Sequence, residues 1–236
     1  MSQFFHSNPA ARPPSGPKDG PWRRGLPRTW QAAFDLSDAP HDLPTEAGTY
    51  RLGPDDGTLS LRTGRTGAAA KAGHDLLIHV TVWEGTLMAG DDPADASIEL
   101  NADGRSLRVR EGTGGMKSLT DDDRAEIAQA IDDEILKGHA ITFRSTQVRP
   151  ADGGGLSVQG DLTLVGETRP IAFDLAASDD GAHRATVLVK QTDWGIKPYS
   201  ILFGALKVAD EVEVGIEVRL PAELIPAWGP RTAQSL

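Results

Sequence analysis

From Gly48 to Val218 the chain runs in short stretches where apolar and polar side chains alternate, each stretch ended by Gly, Asp or Asn. A period of two sends neighbouring side chains to opposite faces of a strand, so these stretches predict half-buried antiparallel strands. Leu59 and Leu61 share one face, as do Leu76, Ile78, Val80 and Val82, and then Ile98 and Leu100. The alternation returns at Ile141 and Phe143, at Leu162 and Leu164, at Ile171, Phe173 and Leu175, and at Val187 and Val189. Val212, Val214, Ile216 and Val218 close the series. The predicted fold is all-β with one flanking helix: an antiparallel β-barrel of some eight or more strands, because a sheet curled on itself has no exposed edge.

The helix is expected between Leu119 and Lys137, where Ile127, Ile131 and Ile135 recur at four-residue spacing and should face the barrel. Thr120 is its predicted cap, with Asp123 three residues on, and Gly138 ends it. Asp121, Asp122 and Asp123 sit at the positive end of the helix dipole and Lys137 near the negative end, which accounts for the acidic run structurally. Consecutive helical residues project in different directions, so those aspartates do not make a metal site.

Residues 1–46 are rich in Pro, Gly and Arg and predict a flexible extension, in which Trp22, Trp30 and Phe34 are candidates for docking on the barrel or a partner. Residues 47–220 form the barrel domain and residues 221–236 a C-terminal tail. The net charge of −10 repels phosphate backbones, so no nucleic-acid partner is expected. Without cysteine the chain has no disulfide, thiolate nucleophile or thiolate metal site. The N-terminus offers two adjacent apolar residues, Phe4 and Phe5, where an export signal needs about seven to fifteen. A cytoplasmic location is the resulting expectation.

Several segments carry residue types suited to chemistry. Gly112-Thr113-Gly114-Gly115-Met116-Lys117-Ser118 looks like a phosphate loop, but Met116 interrupts the Gly-Lys step and three aspartates follow. His74 and His79 lie five apart in one strand, hence on opposite faces, and cannot share a metal. His74, flanked by Gly73 and Asp75, reads either as a capped surface histidine or as a strand-mouth group that hydrogen-bonds a ligand head. His139 is a second candidate for that mouth. The Gly64–Gly73 stretch, with Arg65 and Lys71, reads as a solvent loop or as a gate. Trp83, Trp194 and Tyr199 line a channel or plug the barrel end, and Arg144 and Arg169 read as paired or solvent-facing charges. No catalytic residue is assigned, and no metal or cofactor is required.

Four further segments carry a family resemblance. Ile141-Thr142-Phe143-Arg144-Ser145 resembles an Ile-x-Phe-x-Ser strand, and Gly160-Asp161-Leu162-Thr163-Leu164-Val165-Gly166-Glu167-Thr168-Arg169-Pro170 resembles a specific hairpin of the YceI-like family. Asp193-Trp194-Gly195-Ile196 is similar to that family's Asp-Phe-Gly-Ile motif, and Val208-Ala209-Asp210-Glu211-Val212 to its Val-Gly-Asp-x-Val closing strand. The chain departs at Asp56-Gly57-Thr58, where family members commonly carry His-Ser, and in lacking the export signal many of them have.

The resemblance implies a lipocalin-shaped barrel holding a polyisoprenoid or isoprenoid-quinone-like lipid in its interior, and a binding protein rather than an enzyme. The expected ligand-binding residues are Leu76, Ile78, Val80, Leu162, Leu164, Ile171, Phe173 and Val214, with Trp194 near one end and His74 at the mouth. A second reading makes the barrel an interaction scaffold whose basic, aromatic N-terminal arm meets an acidic partner or a membrane surface. A third, with less to support it, uses the barrel as a reaction chamber.

Overall fold

A computed structural model describes residues 48–89, 95–151, 153 and 155–220. The N-terminal arm and C-terminal tail expected from the sequence lie outside the described residues. The strands are β1 (Thr49–Leu52), β2 (Gly57–Thr66), β3 (His74–Val80), β4 (Trp83–Met88), β5 (Ser97–Ala102) and β6 (Leu107–Gly114). After helix α1 (Asp121–Ala130) come β7 (Ile141–Pro150), β8 (Leu156–Leu164), β9 (Glu167–Ala177), β10 (His183–Lys190), β11 (Ser200–Ile201) and β12 (Leu206–Val218). Every pairing between them is antiparallel, in the order β1-β4-β5-β7-β8-β9-β10-β12-β2-β3-β6.

The sheet closes because one hairpin belongs to both of its ends. β3 runs into β4 through Thr81 and Val82, and β5 runs into β6 through residues 103–106, so β3-β6 and β4-β5 are two halves of one bent ladder. Ser106 pins the bend. Its carbonyl accepts the Thr81 amide and hydroxyl (3.2 and 2.8 Å), its Oγ accepts the Val82 amide (3.0 Å), and its hydroxyl donates to the Asp103 carbonyl (2.7 Å). Counting each bent pair as one strand, the described residues make eight long strands plus the short β1 and β11.

Closure is incomplete at two places. Beyond the bend, β6 has no strand on its outer side among the described residues; α1 packs there, with Arg124 Nη1 donating to the Arg110 carbonyl (2.8 Å). The helix starts at a reciprocal cap, in which Thr120 Oγ1 accepts the Asp123 amide (3.1 Å) and the Asp123 carboxylate accepts the Thr120 amide (2.9 Å). Its last turn, Ile131–Leu136, is wound as a π-helix rather than the regular continuation the spacing predicts. Lys137 and Gly138, both in the left-handed region at φ 53° and 71°, end it. At the second place, β9 meets β10 only at Ala176 and Ala177, so the two strands splay apart elsewhere. Pro170 lies on that unpaired edge of β9, where its missing amide costs no ladder bond.

The β8–β9 turn has a feature the sequence does not suggest. Gly166 has the expected positive φ (84°), but Val165 before it also has one (47°), although a β-branched side chain disfavours it. Val165 packs against both core clusters, and that burial holds the conformation.

Replacing Ser106 with Ala should lower stability by about 1–3 kcal/mol, since the Val82 amide loses its partner at the bend. A shift of the urea midpoint with unchanged slope would register this loss.

Candidate functional site

Alternate residues of the curled sheet point inward and enclose a void of about 610 Å³. The structure places Leu76, Ile78 and Val80 from β3, Leu162 and Leu164 from β8, Ile171 and Phe173 from β9, and Val214 from β12 in its wall. Ile127, Ile131 and Ile135 cover it from the helix side, so α1 supplies wall where β6 has no neighbouring strand. The void is apolar over most of its surface, within the size range that holds a small organic ligand.

Phe143 and Phe173 meet with ring centroids 5.7 Å apart and planes tilted by 52°. Both rings border the main void and a second one of about 90 Å³, whose wall includes Leu52, Trp83, Leu156, Leu175 and Val218. Gly160 makes room for the first ring, since a Cβ there would come within 2.5 Å of Phe143. The aromatic pair therefore separates a roomy end of the barrel from a nearly filled one.

The roomy end has a polar mouth. Arg65 on β2 donates through Nη1 to the carbonyls of Gly73 (2.6 Å) and Thr113 (2.8 Å), and its Nη2 lies 3.8 Å from Asp75. One guanidinium thus ties together the ends of β2, β3 and β6. His74 lines the void, and its Nε2 donates to the Lys117 carbonyl (2.7 Å), fixing the loop after β6. That segment is held by side chains at its Thr113 and Lys117 carbonyls. Gln191, Tyr199 and Lys207 complete the mouth, and the Gln191 amide donates to the Ala209 carbonyl (2.8 Å).

Two expected positions fall elsewhere. Trp194 does not line the void: it is buried in the wall where β9 and β10 splay, and its Nε1 donates to the Leu162 carbonyl (3.0 Å). His139 is exposed beside the Gly166 turn and is not part of the mouth. His79 faces away from the void, and burial, then the nearby Arg110, holds its pKa below the usual histidine value. Arg144 pairs with Glu99 (2.9 Å) on the outer face, and Arg169 donates to the Asp193 carbonyl (3.0 Å). Gln191 was not singled out in the sequence, yet it continues the two-residue period of Val187 and Val189. Among the described residues no group of three or more His, Asp or Glu side chains is placed to hold a metal.

The motifs noted in the sequence act as fasteners of this wall. The 191–194 turn plugs the splayed seam, and Asp210 anchors it by accepting the Thr192 amide (2.9 Å) and hydroxyl (2.7 Å) at the bulge in β12. The YceI-like domain model matches residues 50–220, most of the chain. The chain belongs to the YceI-like family. A UPF0312 protein of Vibrio cholerae serotype O1 is 34% identical over 118 residues, covering 45% of this chain and 58% of that protein, so the match spans little more than half the relative's length. Among solved structures, Burkholderia cenocepacia BcnA is similar at a TM-score of 0.49 and 16% identity, covering 69% of this chain and 94% of that one. A Campylobacter jejuni YCEI protein is similar at a TM-score of 0.35 and 13% identity, covering 83% and 96%.

The Thr192 hydroxyl, more than the weaker attraction of Lys190, holds the Asp210 pKa below the usual carboxylate value. Folding therefore favours the ionised form. Its contribution is fully present above the unfolded carboxyl pKa of about 3.9 and is lost as pH falls through the lower folded value. An Asp210→Asn variant should melt below wild type at neutral pH, and the gap should narrow progressively under pH 4 in a series of thermal melts.

Proposed function

We propose that this YceI-like protein binds and carries a long-chain apolar amphiphile, of polyisoprenoid or isoprenoid-quinone type, in the barrel interior. The observation that carries the reading is the void of about 610 Å³, lined mostly by apolar side chains, with Arg65, His74, Gln191 and Lys207 gathered at the mouth and Asp123 and Glu126 contributed by α1. An amphiphile matches that gradient: its chain lies among Ile78, Leu162, Ile171 and Phe173, and its head meets Arg65, His74, Gln191 and Lys207. Each CH₂ taken from water into such a wall contributes about 0.8 kcal/mol, so several isoprene units give tight binding with few polar contacts.

Carriage is favoured over catalysis by what the mouth groups already do. Arg65 and His74 are occupied in holding strand ends and a loop. Neither is paired with a nucleophile in the way acid–base catalysis needs.

Prenyl alcohols of increasing length, titrated against the folded protein, test the reading. Affinity should climb with chain length until the Phe143–Phe173 pair is reached, and saturation should occur at micromolar concentration. Phe173→Asp should abolish uptake, whereas His74→Ala should change affinity by only about tenfold, the loss of one hydrogen bond. Absence of uptake across the whole series would refute the proposal.

The aromatic pair gives a second measurement. Phe143→Leu thins the partition between the two voids, so the length of best-bound chain should increase. An unchanged length optimum would show that the partition does not limit the ligand.

A further inference from the structure

Ile201, Leu202, Phe203 and Gly204 form the turn between β11 and β12, beside the mouth of the void. Phe203 is fully exposed, and Leu202 and Ile201 are 57% and 44% exposed. Leu202 and Phe203 both have φ of 53°, and Gly204 follows at 86°. Left-handed backbone is disfavoured for bulky L-residues and comfortable only for Gly. Here the turn holds two large apolar side chains in that conformation and turns them to solvent, so packing does not account for them. Single exposed apolar residues are ordinary; a consecutive, strained set at the opening of an apolar cavity is not.

The turn is part of a continuous rim. The Ala69 amide donates to the Ala205 carbonyl (2.9 Å), and Gly73 packs under the Leu206 side chain. Gly114 and Gly115 then lie against Arg65 and His74. Met116, also strongly exposed, stands on this last stretch. The three rim stretches, residues 63–74, 113–118 and 194–207, hold Arg65, Lys71, Lys117, Lys197 and Lys207; the carboxylates that adjoin them are Asp75, Asp193 and, on α1, Asp123 and Glu126, which also line the void. Arg65 and Lys117 face Asp75 and Asp123 at 3.8 Å. Lys71, Lys197 and Lys207 have no ion-pair partner among the described residues.

We propose that this rim docks on a bilayer containing anionic phospholipid, with Leu202 and Phe203 entering the interfacial layer and Lys71, Lys197 and Lys207 meeting the headgroups. Apolar side chains ringed by cations fit a surface that is anionic outside and hydrocarbon within. Docked this way, the mouth opens toward the membrane, and an apolar molecule passes between bilayer and void without crossing water. A protein partner would need a complementary acidic groove. The bilayer supplies both the charge and the apolar depth without a specific fold.

The docking step does not depend on the ligand reading, and it is tested without ligand. Full-length protein is sedimented with vesicles of phosphatidylcholine alone and with vesicles that also contain phosphatidylglycerol. Retention is expected on the anionic vesicles, weakening as salt is raised. Leu202→Glu combined with Phe203→Glu should reduce it by on the order of tenfold or more. Leu188→Glu, changed at an exposed leucine on the outer face of β10, should leave it intact. Phe203→Gly is the second variant: it relieves the left-handed backbone, so melting temperature should hold or rise while retention falls. No retention of wild type, retention unaffected by the rim variants, or an equal loss in Leu188→Glu would each overturn the proposal. So would a fall in melting temperature for Phe203→Gly. Prenyl-alcohol uptake in vesicle-free buffer reports on the cavity separately, so failure of one reading leaves the other standing.

Discussion

Closure of the sheet rests on the bend at Ser106, where one serine satisfies the backbone on both strands of a long hairpin. Because the hairpin turns there, its β4-β5 half joins β7 at one end of the sheet while its β3-β6 half joins β2 at the other. The turn also has a geometric consequence. β6 leads away from β7, and the edge it leaves is covered by α1 instead of by another strand. A helix stands further from the barrel axis than a strand would, so Ile127, Ile131 and Ile135 form a roof over the void and do not fill it.

Much of this was legible in the chain because the side-chain period of a strand is two. The alternation identified the inward residues from Leu59 through Val218, but not Val82, which it put on the face of Leu76, Ile78 and Val80 and which lies at the bend, 54% exposed; the helical spacing identified the three isoleucines that face them. The bend was not legible. Thr81, Val82 and Ser106 interrupt no pattern, and their role comes from hydrogen bonds between residues 24 or 25 apart. The mouth was only partly so. Gln191 continues a visible period, but Arg65 is functional through carbonyls of Gly73 and Thr113, which leave no mark in the sequence.

The conspicuous motifs proved to be about architecture. Trp194 suggested a channel residue by its size and amphipathic ring. Where β9 and β10 part, however, a large side chain is needed in the wall, and its indole donor is satisfied by the Leu162 carbonyl. Asp210 is likewise part of the architecture, its two carboxylate oxygens accepting from the Thr192 amide and hydroxyl. Family-like motifs of this kind specify how the seam is sealed, and neither Trp194 nor Asp210 lines the void.

That division of labour explains how the fold accommodates a cavity. Side chains that border a cavity forgo dispersion contacts with one another, which leaves a core less stable than a packed one. Here the deficit is confined to one end. Beyond the Phe143–Phe173 pair, Leu87, Val148, Leu156, Val158 and Leu175 are buried, with Val148 and Val158 completely so, and this packed end anchors the ladder. Side chains at the open end are therefore free to be chosen for smoothness and polarity gradient, since the strands that carry them are already fixed from below and tied at the rim by Arg65 and His74.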